Sequence, residues 1–250
     1  MRPLFVCNFF PPHHVGGYEV AAEAVAQGLA ARGHSPNVLA SRRRRPGIAE
    51  SDSRQPFPIN RSLIPCFNFH SMRERVWAHW AMLRNGNLLA RETRRTAPDI
   101  LFLWAMTNLT TSPLLAARQL SEQGLPVAIH AQDLWPRELL GQIERLPRWA
   151  RLIPEWKRAA SGAASWLKGL PISPLSAFAG RELEKAGFRN VTSPIFSAVP
   201  PSLLAGRDEV VSRSRERKNL LYCGRLVENK GVATIIRALP LLKEQGSCLD

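Results

Sequence analysis

Residues 4–33 read LFVCNFFPPHHVGGYEVAAEAVAQGLAARG. Leu4 to Asn8 is a short apolar run, the pattern of a buried strand. A loop follows that carries Pro11-Pro12, His13-His14 and Gly16-Gly17. Glu19 to Arg32 then places Ala21, Val25, Gly28 and Leu29 at helical spacing, and Gly33 stands where a helix ends in a left-handed residue. Val38 to Ala40 resumes as a strand. Strand, glycine loop, helix and strand in this order open a parallel sheet.

The same alternation runs onward. The spacing predicts a helix over Glu74–Arg95, a strand over Ile100–Met106, a helix over Ser112–Gln123 and a strand over Val127–His130. It also predicts a strand over Ala164–Ile172, a helix over Ala177–Ala186 closed by Gly187, and a strand over Val191–Phe196. Arg42 to Ser71 is polar, basic and broken by prolines, and reads as a long excursion. The expected class is therefore α/β, a Rossmann-like parallel sheet with helices on both faces. Ala205 to Lys218 is charged and poor in large apolar residues, as a linker is. After it come a strand at Asn219–Cys223 and a helix from about Val232 to Gln245. The expected organisation is a domain over 1–204, a linker over 205–218, and the start of a second, incomplete Rossmann-like domain over 219–250.

Composition narrows the function classes. The 250 residues are 45% hydrophobic and 22% charged, an ordinary globular mixture that rules out collagen-like and wholly disordered chains. No apolar run approaches the roughly 18 residues a membrane-spanning helix needs, and Met1–Phe10, followed at once by prolines and histidines, does not read as a secretory signal. The four cysteines are far apart with no CxxC pair, so neither a zinc site nor a disulfide framework is expected, and the expected compartment is the reducing cytoplasm. The net charge of +14 attracts anions: nucleic acid, acidic lipid or phosphorylated small molecules. No recognisable nucleic-acid-reading element accompanies it, so no specific nucleic-acid partner is expected.

Three loops carry candidate chemistry. Gly16-Gly17, with Glu19 behind them, precede a helix at a strand's carboxyl end, where ligands of open α/β sheets bind; a plain turn with Glu19 balancing the helix dipole gives the same pattern. Gly224-Arg225-Leu226-Val227-Glu228-Asn229-Lys230-Gly231 sets a guanidinium and an ammonium five residues apart, able to converge on a diphosphate or to stand solvated. His130-Ala131-Gln132-Asp133-Leu134-Trp135-Pro136 follows a predicted strand, placing His130 to meet a sugar, or to be satisfied by backbone groups.

Four segments together resemble the family-4 retaining glycosyltransferases of GT-B architecture. FPPHHVGGYEVAAEAVAQGLAARGH (10–34) is similar to their opening strand, glycine loop and first helix. HAQDLWPREL (130–139) resembles the DLWPES segment of bacterial surface-polysaccharide transferases. SPLSAFAGRELEKAGFRNV (173–191) resembles the segment closing the N-terminal domain, and YCGRLVENKGVATIIRALPLL (222–242) the start of the C-terminal one. The resemblance implies transfer of a sugar, with retention, from a nucleotide-diphosphate sugar to a polysaccharide or lipid-linked glycan. It places Gly16 and Gly17 against the donor's phosphates and the acceptor, with Glu19, Asp133 and Gly224 among the binding residues. Arg225 and Lys230 would hold the diphosphate and His130 would contact the transferred sugar. The nucleotide sugar is a co-substrate, and no separate cofactor or bound metal is implied.

Departures from the pattern are three. Gln132 stands where the nearest relatives often have Arg, Ser197-Ala198-Val199-Pro200 replaces Asn-Gly-Val-Asp, and the chain stops before a Glu-x7-Glu motif. The expectation is a chain inactive by itself, the alternative being a non-catalytic fragment that binds the acceptor or an anionic membrane surface. Two stretches fit such a surface. Arg73, Arg75, Arg84, Arg91, Arg94 and Arg95 share a helix with Val76, Trp77, Trp80 and Leu83. The second combines Arg145, Arg148, Arg151, Lys157 and Arg158 with Trp149 and Trp156. Packing of their apolar faces on the sheet, with solvated arginines, is the other reading.

Overall fold

The computed structural model describes residues 1–48, 55–66, 71–144, 162–196, 222–224 and 226–244. The chain divides into two compact units, Met1–Ser197 and Ala198–Asp250. Among the described residues the first contains six strands: β1 (Pro3–Cys7), β2 (Asn37–Ser41), β3 (Ile59–Leu63), β4 (Ile100–Ala105), β5 (Val127–Ala131) and β6 (Ile172–Pro174). All pair in parallel, in the order β3-β2-β1-β4-β5-β6. Its helices are α1 (Gly17–Ala31), α2 (Met72–Thr96), α3 (Ser112–Glu122), α4 (Trp135–Glu144), α5 (Ala163–Gly169) and α6 (Ala177–Lys185). In the second unit a 3-10 turn, Glu228–Lys230, precedes α7 (Val232–Glu244).

Strand alternation divides the core. Leu4 and Val6 of β1, Leu39 of β2 and Leu101 and Leu103 of β4 pack on one face with apolar residues of α2, α3, α4, α5 and α6. Phe5 and Cys7, Val38 and Ala40, and Trp104 pack on the other with Ala22 and Ala26 of α1. Both faces are covered, as parallel strands require. The order reverses between β1 and β4, and ligands of doubly wound sheets bind beyond the carboxyl ends of the strands at such a reversal. Asn8 marks the spot: its backbone N–H donates to Ala105 O at 2.7 Å, its carbonyl accepts from Ser41 N–H at 2.9 Å, and its side-chain amide reaches Thr107 O.

Three expectations need correction. Ala164–Ile172 is not a strand: α5 fills Ala163–Gly169, because Ala163 and Leu167, one helical turn apart, are both fully buried, and β6 begins only at Ile172. Val191–Phe196 forms no regular strand. Val191 makes a single bridge to Ile172, and Thr192 and Ile195 donate to Ile172 O and Pro174 O, but Pro194 has no N–H to continue a ladder. The excursion over 42–71 contains β3, an edge strand whose Asn60 and Arg61 hid it in a polar pattern. The predicted linker, the strand residues 219–221 and the basic stretch 145–158 lie outside the described residues.

The thiols of Cys7 and Cys66 are buried, and burial pushes both upward, Cys66 to about 11, so neither is a ready nucleophile. Among the described residues no helix is long and apolar enough to cross a membrane.

Candidate functional site

The glycine loop is held from behind. Arg61 of β3 donates to Phe10 O at 3.0 Å and Pro11 O at 2.6 Å. Arg45 donates through its guanidinium to His14 O at 3.0 Å and through its backbone N–H to His13 Nδ1 at 3.2 Å. Two carbonyls held by one planar guanidinium fix the direction in which the loop leaves β1.

Gly16 caps α1 in extended geometry, φ −156°, and its N–H donates to Glu19 Oε2 at 2.9 Å. Glu19 is buried at 8% exposure, so a carboxylate already offsets the positive end of the helix. The amides of Gly17 and Tyr18 lie in the first turn, where the helix itself supplies no carbonyl. A Cβ built on Gly17 meets nothing within 4 Å. The fold would accept a side chain there; glycine instead leaves open space before the helix.

Tyr18 joins this loop to the end of β5. Its hydroxyl donates to His130 O at 3.2 Å and accepts from Gln132 N–H at 2.9 Å, while its own carbonyl accepts from Trp104 Nε1 at 2.9 Å. Burial drives the phenol far above its ordinary range, so it stays a neutral donor. Trp104 in turn covers the His130 ring, centroids 4.3 Å apart. His130 O also accepts from Trp135 Nε1 at 3.3 Å, and Asp133 Oδ1 accepts from Trp135 N–H at 2.9 Å, starting α4.

His130 is 4% exposed, and burial lowers its pKa to about 4 against a smaller opposing hydrogen bond with the Ser173 backbone. Near neutral pH it is an uncharged hydrogen-bonding group. At the same edge Asn8 Oδ1, Gln132 Nε2 and Ser173 Oγ are enclosed without a hydrogen-bond partner among the described residues, which leaves both donors and acceptors unspent.

The structure thus brings Gly16, Gly17, Glu19, His130 and Asp133 onto one edge of the first unit, with Tyr18 as the joint. Gly224 and Lys230 belong to the second unit. Gly224 is exposed, and Lys230 is exposed at the end of the 3-10 turn, which closes on Gly231 at φ +69°. Arg225 lies outside the described residues. Sequence reasoning missed Tyr18, Trp104 and Arg61. Tyr18 sits inside the quoted loop, but nothing local announces a bond to residues 112 and 114 positions away.

A family model described as a glycosyl transferase 4-like domain matches residues 16–192. No curated protein sequence matches the chain. Solved structures that are similar include a UGT transferase of Siraitia grosvenorii in complex with UDP, at 13% identity, 92% coverage of this chain and 60% of that one, TM-score 0.40. MurG of Acinetobacter baumannii matches at 14% identity over 81% of this chain and 70% of its own, TM-score 0.38. UGT2 of Phytolacca americana, complexed with UDP-2-fluoro-glucose and pterostilbene, matches at 13% identity over 92% and 62%, TM-score 0.44. The chain spans about three fifths of the length of the first and third.

Proposed function

The chain belongs to the glycosyl transferase 4-like domain family, and from that premise we propose that it provides the acceptor-side domain for transfer of a sugar, with retention, from a nucleotide-diphosphate sugar to a polysaccharide or lipid-linked glycan at the cytoplasmic face of a membrane. One observation carries the reading: the Gly16-Gly17 turn lies at the strand-order reversal with open space in front of Gly17, inside the matched segment.

The chemistry of the edge supports a hydroxyl-rich ligand. Glu19 offsets the helix end, which lowers the attraction for a bare phosphate and favours hydrogen bonds from neutral groups. In this reading the diphosphate charge falls to Arg225 and Lys230 of the second unit, whose positive charge stabilises the departing nucleotide. His130, neutral and held beneath Trp104, contributes a hydrogen bond to the transferred sugar and not a charge. Asp133 is the further binding residue proposed in the first unit, and Gly224 the further one in the second.

Titration of the 15N-labelled chain with UDP-, GDP- and dTDP-sugars tests the assignment. The amides of Gly16, Gly17 and Gln132 are expected to shift in a saturable way with at least one donor. Shifts confined to other residues, or none with any donor, would overturn it. Retention is checked separately from the anomeric configuration of the product.

A further inference from the structure

We propose that the face built by the exposed Arg42, Trp77 and Arg84 and the half-buried Trp80 is a docking surface for an anionic phospholipid bilayer. This deepens the transferase reading by locating the surface on which a lipid-linked acceptor is met, and its test requires no sugar transfer.

The N-terminal half of α2 carries the patch. Val76 is 64% exposed, Leu83 49% and Trp77 43%, a run of large apolar groups on the solvent side of a helix otherwise packed on the sheet. The Trp77 and Trp80 rings lie 5.0 Å apart, and Trp77 Nε1 donates to Pro65 O at 3.3 Å, which fixes the indole. The Arg42 guanidinium sits 5.0 Å from the Trp77 ring centroid and 5.5 Å from that of Trp80, with Arg84 5.2 Å from Trp80. Two cations thus share one indole. Among the described residues neither is paired with a carboxylate. The one acidic side chain near the patch on α2, Glu74, is engaged at the cap with Ser71 N–H at 2.8 Å. Unpaired guanidiniums that share an indole have charge to give to a phosphodiester. Tryptophans beside them, with Val76 and Leu83, suit the boundary between headgroup and acyl chain.

Placement strengthens the case. Arg42 follows the last residue of β2, and Cys66, between β3 and α2, donates to Asn108 O in the loop after β4 at 2.7 Å. The start of α2 therefore lies at the carboxyl edge of the sheet. The neighbouring Arg43 lies over the ring of Phe9, 5.9 Å away, at the beginning of the glycine loop. A bilayer on this face would border the edge where the acceptor is proposed to bind.

The test is vesicle flotation with the full 250-residue chain. It is expected to float with 70:30 phosphatidylcholine–phosphatidylglycerol vesicles at low salt, not with pure phosphatidylcholine, and to be released as salt rises. Brominated acyl chains should quench part of the tryptophan emission, and Trp77→Phe with Trp80→Phe should remove the quenched component. Arg42→Gln with Arg84→Gln should weaken partitioning roughly thirtyfold, at about fivefold per cation. Arg91→Gln with Arg94→Gln removes the same charge further along α2 and should cost less than threefold. Equal losses in the two doubles would make the attraction diffuse and overturn the proposal. So would failure of the unaltered chain to bind the anionic vesicles. Binding of duplex RNA or DNA in place of vesicles, lost in the Arg42 and Arg84 double, would assign the face to nucleic acid and refute it equally.

Discussion

Tyr18→Phe removes one oxygen and leaves the ring. In the native edge that oxygen accepts from Gln132 N–H at 2.9 Å and donates to His130 O at 3.2 Å. The carbonyl keeps a second donor, Trp135 Nε1, so its loss is small. The Gln132 N–H has no such replacement. A buried donor stripped of its partner costs about 1–3 kcal/mol, so the variant should lose about 2 kcal/mol. For a unit of this size that is a fall in melting temperature of about 4–8 °C. Urea and thermal unfolding of both proteins at pH 7 measure it. Amide exchange adds a local readout, since Gln132 should exchange faster while amides in the middle of β1 slow or accelerate only with global stability. A melting temperature within 2 °C of the original, with Gln132 exchange unchanged, would show that the phenol is not what joins the two loops.

Other substitutions probe other parts of the edge. Asn85 on α2 is fully buried and holds Ile64 through both backbone groups, at 2.8 and 2.9 Å. Asn85→Leu should therefore cost about 3 kcal/mol in urea unfolding, close to two orphaned groups. His130 has a folded pKa of about 4, below its ordinary 6.5. Its contribution is fully present above pH 6.5 and drains away as pH falls through 4, so His130→Phe should flatten that part of the melting-temperature profile. Gly17→Ala should leave stability unchanged or raise it by about 0.5 kcal/mol, since nothing obstructs the new methyl group, yet weaken the binding of a responsive nucleotide sugar at least tenfold. Arg61→Lys replaces a fork on two carbonyls with a single ammonium, and amide exchange over residues 13–17 should rise about tenfold.

The doubly wound sheet was legible because its strands are apolar on both sides. Phe5 and Val6, or Leu103 and Trp104, face opposite layers and both are buried, so runs such as ILFLWA announce a covered parallel strand. β3 was not legible. Asn60 is spent on Glu92, at 2.7 Å, and Arg61 on the loop carbonyls, so its polar residues face partners that sequence does not reveal. α5 misled because its short run of Ala, Trp and Leu fits a strand or a helix equally, and burial at Ala163 and Leu167 settled it. At the site, glycines and histidine were readable as types at the ends of strands. Their relation was not, since it passes through Tyr18 and Trp104, whose bonds span 112 and 86 positions. Long-range hydrogen bonds leave no local periodicity to detect.

That separation also sets an order of assembly. During synthesis β1, the glycine loop and α1 emerge early, but the groups that tether Tyr18 arrive only with residues 130–132. Closure of so large a loop waits on docking of β5 beside β4. The carboxyl-edge rim is thus among the last features of the nascent domain to set, and a ribosome stalled before residue 130 would display a half-built sheet with Tyr18 still untied.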